Sequence, residues 1–237
     1  MRSSEPEGQQ CPMLLTTIGQ ALGFYKTFRL PLPSSPASEP FPILINGGST
    51  STGMWAIQYA KLSGLEVIAT ASPTNFEYLK WLGADAVFDY NSPTCGSDIN
   101  KHTQNKLKYA WDCSGGGEEI CATALSSTEP SKYGAINRPN REALRTNPLI
   151  EGPLNIMNYN ILNEPFEFLN KIRYPPLDDV EFAIQFKSVI QELLEKNLFK
   201  FIHVDMNRGG SGLEGVMKGL DELRNGKVRC AKLVYTL

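Results

Sequence analysis

Ile43-Leu44-Ile45-Asn46-Gly47-Gly48-Ser49-Thr50-Ser51-Thr52-Gly53 is the stretch whose reading decides the fold. Three aliphatic residues make a short strand with no polar face. Asn46-Gly47-Gly48 is a turn, and Ser51 or Thr52 caps a helix that Gly64 stops. The same alternation continues downstream. Residues 65–69 read as a second apolar strand, Ser72-Pro73-Thr74-Asn75 as a turn into a helix closed by Gly83, and residues 86–88 as a third strand. Residues 108–111 read as a fourth strand, after a polar stretch with room for one more helix. Gly115-Gly116-Gly117 then precedes a helix over 118–126 and a fifth strand over 132–136. Continuous apolar strands separated by helices predict a doubly wound parallel sheet of the Rossmann type, covered on both faces.

The flanks differ from this block. The first ten residues are polar, residues 14–30 read as an interrupted helix closed by Pro31, and residues 31–42 have the proline and serine content of a linker. The expected division is a disordered or bridging segment over 1–40, the nucleotide-binding domain over 41–200 and a C-terminal segment over 201–237. Within the second unit, Val180, Ala183, Phe186, Ile190 and Leu193 repeat at helical spacing, and the tail from Lys232 to Leu237 alternates like a half-buried strand.

Composition narrows the function classes. A net charge of −2 gives no basic field for nucleic acid or anionic membrane. The apolar runs are too short to span a bilayer, and the polar start carries no secretory signal, so the cytoplasm is the expected location. Five cysteines at irregular spacing, no C-x-x-C pair and only two histidines argue against a zinc site, and hence against a metal-dependent alcohol dehydrogenase.

A strand, a glycine turn and a helix start form the geometry that holds a pyrophosphate. Set against G-x-G-x-x-G, Gly48 and Gly53 fit and Thr50 stands in place of the middle glycine. A plain βα turn with capping hydroxyls explains the residues about equally well on the motif alone. Its place in the first βαβ unit of a series favours the nucleotide reading. The second strand ends Ala69-Thr70-Ala71-Ser72, without the acid that usually takes a ribose 2′-hydroxyl. A 2′-phosphate is therefore not repelled, Ser72 and Asn75 are available as donors, and NADPH is expected as cofactor. No arginine stands beside them.

Several strings carry a resemblance. The glycine turn, Ala69-Thr70-Ala71-Ser72-Pro73-Thr74-Asn75-Phe76, Gly83-Ala84-Asp85, Val87-Phe88-Asp89-Tyr90, Tyr109-Ala110-Trp111-Asp112-Cys113 and Lys232-Leu233-Val234 are similar to fungal trans-acting enoyl reductases. These are zinc-free, quinone-oxidoreductase-like members of the medium-chain dehydrogenase/reductase superfamily. They reduce enoyl groups on polyketide chains carried by a partner synthase. The resemblance implies that Ser49, Thr50, Ser51 and Thr52 bind the pyrophosphate, and Ser72, Pro73, Thr74 and Asn75 the 2′-phosphate. It places Tyr90 by the adenosine phosphate, Ile136 and Asn137 at the nicotinamide end, and Val228 and Arg229 over the cofactor. Substrate is expected near Leu14, Leu15, Thr16, Thr17, Ile18, Gly19, Gln20 and Ala21, and near Pro153, Leu154, Asn155, Ile156 and Met157.

The implied partner is a polyketide synthase or a synthase–peptide synthetase hybrid presenting a carrier-bound chain, and the family's members are expected to be monomeric. The chemistry implied is hydride delivery to the β-carbon of an α,β-unsaturated thioester, then protonation at the α-carbon. No proton donor is identified; Tyr109 and Tyr133 are candidates only by lying near strands. The text before the fifth strand departs from the family, having Glu129-Pro130 where glycines are usual. The resemblance also implies a barrel-like, GroES-like domain preceding residue 1, of which the chain ends are remnants. The C-terminal strand is then expected to present unpaired backbone and Leu233, Val234 and Leu237 to solvent. Two functions stay open: a working trans-enoyl reductase, or a truncated, non-catalytic NADPH-binding or synthase-docking chain.

Overall fold

In the computed structural model, which describes residues 22–155, 159–160 and 163–237, alternating side chains of each strand feed two separate cores. The strands are β1 (Pro42–Asn46), β2 (Glu66–Ala71), β3 (Ala86–Asp89), β4 (Tyr109–Asp112), β5 (Ser131–Ala135) and β6 (Ile150–Asn155). They form one parallel sheet in the order β3-β2-β1-β4-β5-β6. Ile43 and Ile45 of β1 point to one face, with Val67, Ala69 and Trp111; Leu44 points to the other, with Ile68, Ala110 and Tyr133. The first face is covered by α1 (Ser51–Leu62), α2 (Phe76–Leu82) and the long α6 (Leu177–Glu195). The second is covered by α3 (Cys95–His102), α4 (Glu118–Ala124) and the short α5 (Arg141–Leu144). Burial on both faces is why the strands read as unbroken apolar runs.

The first face is the more aromatic. Residues Leu22–Thr27 form a single π-helical turn; the earlier part of the helix expected over 14–30, residues 14–21, lies outside the described residues. Around it, Phe24 and Phe28 set their rings edge-on to Trp111, at 5.3 and 5.7 Å between centroids. Tyr25 packs on Phe186 of α6, and its hydroxyl shares a 3.0 Å hydrogen bond with Ser63. Lys26 pairs with Asp178 and Asp179 in the first turn of α6, where acidic residues also suit the helix dipole. Phe24, Tyr25, Phe28 and Leu30 thus belong to the same core as the sheet.

Several strands were not legible, β6 and the β7–β8 pair among them. β6 is interrupted by Gly152-Pro153, and these two residues stand opposite Tyr133 alone, a bulge at the edge of the sheet. Edge position and bulge are where a sheet accepts proline. β7 (Phe166–Phe168) and β8 (Lys171–Arg173) form an antiparallel hairpin turned by Leu169 and Asn170, both at positive φ, without the glycine that usually marks such turns.

The tail corrects one expectation. β10 (Lys232–Val234) is not left unpaired: it runs parallel to β9 (Val204–Met206), and Val234 is buried. The helix between them, α7 (Gly212–Arg224), lies against this pair through Gly215 and Gly219, while Leu237 remains almost wholly exposed. The short chain path from α6 reaches β9 along α1 and α2. There the buried Gln58 side chain accepts from Lys200 N at 2.7 Å and donates to Lys200 O at 3.0 Å. Among the described residues no helix is long and apolar enough to cross a membrane.

Candidate binding cleft

The sheet order reverses between β1 and β4, and a cleft of about 390 Å³ opens at the carboxyl ends of the strands on that side. Its lining comes from the end of β1 and the first turn (Asn46, Gly47, Ser49, Thr50), from Thr70 near the end of β2 and Tyr90 after β3, and from the loop Ser114–Gly117 with Ile120. In open parallel sheets this reversal is where ligands bind. A larger cavity of about 460 Å³ lies at the opposite end, between Phe41, Tyr109, Lys106, Lys108 and Glu129. It has no helix N-terminus, and Lys108 and Glu129 neutralise each other across it. Tyr109 sits at that end, far from any role in the cleft.

Gly47 takes φ +73°, and a side chain there would press on Ser114. Gly53 lies so close to the Gly47 carbonyl and the Gly48 Cα that a side chain would overlap them, which brings α1 tight against the turn. Thr50, at the place of the middle glycine, folds back on the turn. Its hydroxyl donates to Gly47 O at 2.8 Å and accepts from Gly53 N at 3.0 Å, capping α1. The cap satisfies Gly53 N, while the amides of Ser51 and Thr52 at the start of α1 have no intrahelical partner, as at every helix start. The hydroxyls of Ser49, Ser51 and Thr52, with no internal hydrogen bond among the described residues, flank them.

Across the cleft, Ser72 shares a 3.1 Å hydrogen bond with the Tyr90 hydroxyl, so the two residues expected at the adenosine end meet. Pro73, Thr74 and Asn75 form a 3-10 turn before α2, with Pro73 and Thr74 exposed. Asp89 turns toward Asn91, accepting from its backbone and side chain at 2.9 and 2.8 Å. Asn137, after β5, reaches Ser114 O at 3.4 Å and lies against Gly115. Ile136 beside it packs against the first-face core. Val228 and Arg229 lie between α7 and β10 and do not line the cleft. Of the second substrate stretch, Pro153, Leu154 and Asn155 end β6, with Leu154 packed on the core. Ile156, Met157 and the whole stretch from Leu14 to Ala21 lie outside the described residues.

Beneath the cleft lies a carboxylate that no motif in the sequence assigns a role. Asp112, fully buried at the end of β4, accepts from Asn46 Nδ2, from Ser114 N and Oγ, from Gly115 N and Gly117 N, and from the Tyr133 hydroxyl. Burial alone would raise its pKa, but the hydrogen bonds from Asn46, Ser114 and Tyr133 outweigh that and hold it below the usual value. Tyr133 is pushed in the opposite direction, by burial first and then by neighbouring negative charge. Its proton stays on the phenol, which donates to Asp112 Oδ2 at 3.0 Å rather than into the cleft. The available signal was an acid closing an apolar strand just ahead of Ser114-Gly115-Gly116-Gly117, where an aspartate gathers the amides that follow it.

The loop before β5, where glycines give way to Glu129-Pro130, is held by side chains instead. Ser126 Oγ accepts from Glu129 N at 3.1 Å, and Asn105 Oδ1 from Ser127 N at 2.9 Å. Burial pushes the Cys113 and Cys121 thiols well up and Cys95 to about 11, which makes them poor nucleophiles. Among the described residues no three His, Cys, Asp or Glu gather to hold a metal.

Residues 51–132 match the family model described as zinc-binding dehydrogenase. A trans-enoyl reductase of Gibberella fujikuroi is 37% identical over 98% of this chain and 64% of its own length. One of Alternaria alternata is 38% identical over 94% of the chain and 62% of its own. The chain thus spans less than two thirds of these relatives. Among solved structures, the CurK enoyl reductase superposes with a TM-score of 0.69 at 15% identity, over 100% of this chain and 64% of that one. A mycobacterial protein complexed with NADPH gives 0.68 at 12% identity, over 93% and 62%.

Proposed function

We propose that this chain, 37–38% identical to fungal trans-enoyl reductases, acts as they are named and holds NADPH for the reduction of α,β-unsaturated thioesters on a polyketide chain carried by a separate synthase. The observation that carries this reading is the cleft at the strand reversal, with the start of α1 aimed into it and no acid in its lining. In this reading the amides and hydroxyls from Ser49 to Thr52 take the pyrophosphate, where unpaired amides and the helix dipole favour an anion. Ser72 and Tyr90, already in contact, take the 2′-phosphate with Asn75. Gly115, Gly116 and Asn137 face the nicotinamide end. Bound there, NADPH supplies the hydride for the β-carbon of the thioester. Val228, Arg229 and the stretch around Leu154 are proposed for cofactor closure and substrate contact from the resemblance alone.

Fluorescence titration of the chain with NADPH and NADH tests the assignment. NADPH is expected to bind more tightly, and Ser72→Ala is expected to weaken NADPH more than NADH by about 1 kcal/mol, one charge-assisted hydrogen bond. Equal affinity, or tighter NADH, overturns it.

One observation favours the second reading, a chain that binds NADPH and docks on a synthase without turnover. Tyr90 is the sole ionisable side chain among the described residues lining the cleft. An assay with NADPH and a crotonyl thioester separates the two: steady oxidation of NADPH supports the reductase, and binding without oxidation supports the docking chain.

A further inference from the structure

Two glycine loops face each other across the cleft floor. Gly47 of the first turn sits against Ser114 of the second loop, and Gly117 of the second loop sits so tightly against the Asn46 side chain that no Cβ would fit. A polar chain ties them. Gly47 N donates to Thr70 Oγ1 at 3.0 Å, Thr70 donates to Asn46 Oδ1 at 2.7 Å, and Asn46 donates to Asp112 Oδ1 at 2.9 Å. From the other loop, Ser114 N and Oγ reach the same oxygen at 2.9 Å, and Gly117 N reaches Asp112 Oδ2 at 3.1 Å. Tyr133, rooted in the second-face core, donates to that oxygen from below at 3.0 Å. The network joins the carboxyl ends of β1, β2 and β4 to the middle of β5, and every donor runs toward one carboxylate.

We propose that Asp112 is the positioning residue of the cleft, fixing the Gly47 turn and the Ser114–Gly117 loop in the relative placement that holds the cofactor. This rests on the cleft being the NADPH site. An uncharged anchor would suffice to fill the space. A buried carboxylate with no Lys, Arg or His partner among the described residues is costly unless donors surround it, and here they come from both loops. The hydrogen bonds that hold Asp112 ionised fit that use.

The test uses the full chain with three variants. Tyr133→Phe removes one donor without touching the cleft lining; Thr70→Val breaks the link to Gly47 at constant shape; Thr70→Ser keeps the hydroxyl. Amide exchange at Gly47 and residues 114–117 is measured without nucleotide, and NADPH affinity and bound-NADPH emission by fluorescence. The expected result is faster exchange in both loops and about tenfold weaker NADPH binding, the equivalent of one hydrogen bond, in Tyr133→Phe and Thr70→Val. Thr70→Ser is expected to restore native affinity, which a loss of general stability would not do. Native affinity and emission in Tyr133→Phe and Thr70→Val overturn the positioning role while leaving the NADPH site standing. If the native chain binds neither NADPH nor NADH while its loops stay protected, the cofactor reading fails first and the positioning role falls with it.

Discussion

Glycine is used in opposite ways at the two ends of this molecule. At the strand reversal, Gly47, Gly115 and Gly116 sit at positive φ and leave backbone open toward the cleft. In the C-terminal unit, Gly215 and Gly219 present a side-chain-free helix face to Gly210, Leu233 and Tyr235, so that α7 lies directly on β10 and its flanks. The first arrangement exposes amides to a partner; the second hides them. The price appears on the other side of α7, where Leu213, Met217 and Leu220 face solvent. A helix that packs through glycines buries little apolar area, so its hold on the sheet is weaker than that of α1, whose Trp55, Ile57 and Tyr59 are all buried.

The sharpest way to break this comparison is to add a methyl group at each end. Gly117→Ala drives a carbon into the Asn46 amide and is expected to cost about 3 kcal/mol by overpacking, together with loss of NADPH binding. Gly219→Ala meets the far end of Tyr235, a movable side chain, and is expected to cost about 1–2 kcal/mol with NADPH affinity unchanged. Denaturant titrations paired with cofactor titrations check both; equal loss of affinity would show that the two ends are not independent. Gln58→Ala cuts the tie between the ends. Two part-buried hydrogen bonds to Lys200 are lost, for an expected cost of about 2 kcal/mol, and exchange of the β9 and β10 amides is expected to rise before that of β1. Thr50→Ala removes the cap of α1 and is expected to cost about 1 kcal/mol in thermal denaturation.

The smallest effect is the dependence on acid. The folded pKa of Asp112 is depressed, so its stabilisation is complete above the unfolded value of ~3.9 and is lost as pH falls through the lower folded value. Between pH 5 and pH 3 the native chain is expected to lose more stability than Asp112→Asn. An identical loss in the two proteins would show that Asp112 carries no such linkage.

What the sequence made legible follows from packing. Ile43-Leu44-Ile45 could be read because both of its faces are buried, and the glycine turn because a helix start has few alternatives. β6 escaped because Gly152-Pro153 erases the apolar run, and β9 because three residues that are half-buried at most carry no period. The cleft was legible on the β1–β2 side, where Ser49, Thr50 and Tyr90 line it and Ser72 bonds Tyr90, but not on the β4 side. Asn46, Thr70 and Asp112 act through hydrogen bonds between residues distant in the chain, and a single polar residue at a strand end gives no hint of such partners.

The seam by Lys200 also gives the protein an internal optical probe. Of its three tryptophans, Trp55 and Trp111 are sealed in the core, while Trp81 is half exposed. Trp81 stacks on Tyr78 at 5.5 Å, and the Lys200 ammonium lies 4.9 Å above its ring. Lys200 leads toward β9, so any detachment of the C-terminal unit uncovers that indole first. Acrylamide quenching of the solvent-reachable emission therefore reports the state of the junction, while the two shielded indoles report the sheet from within the same spectrum.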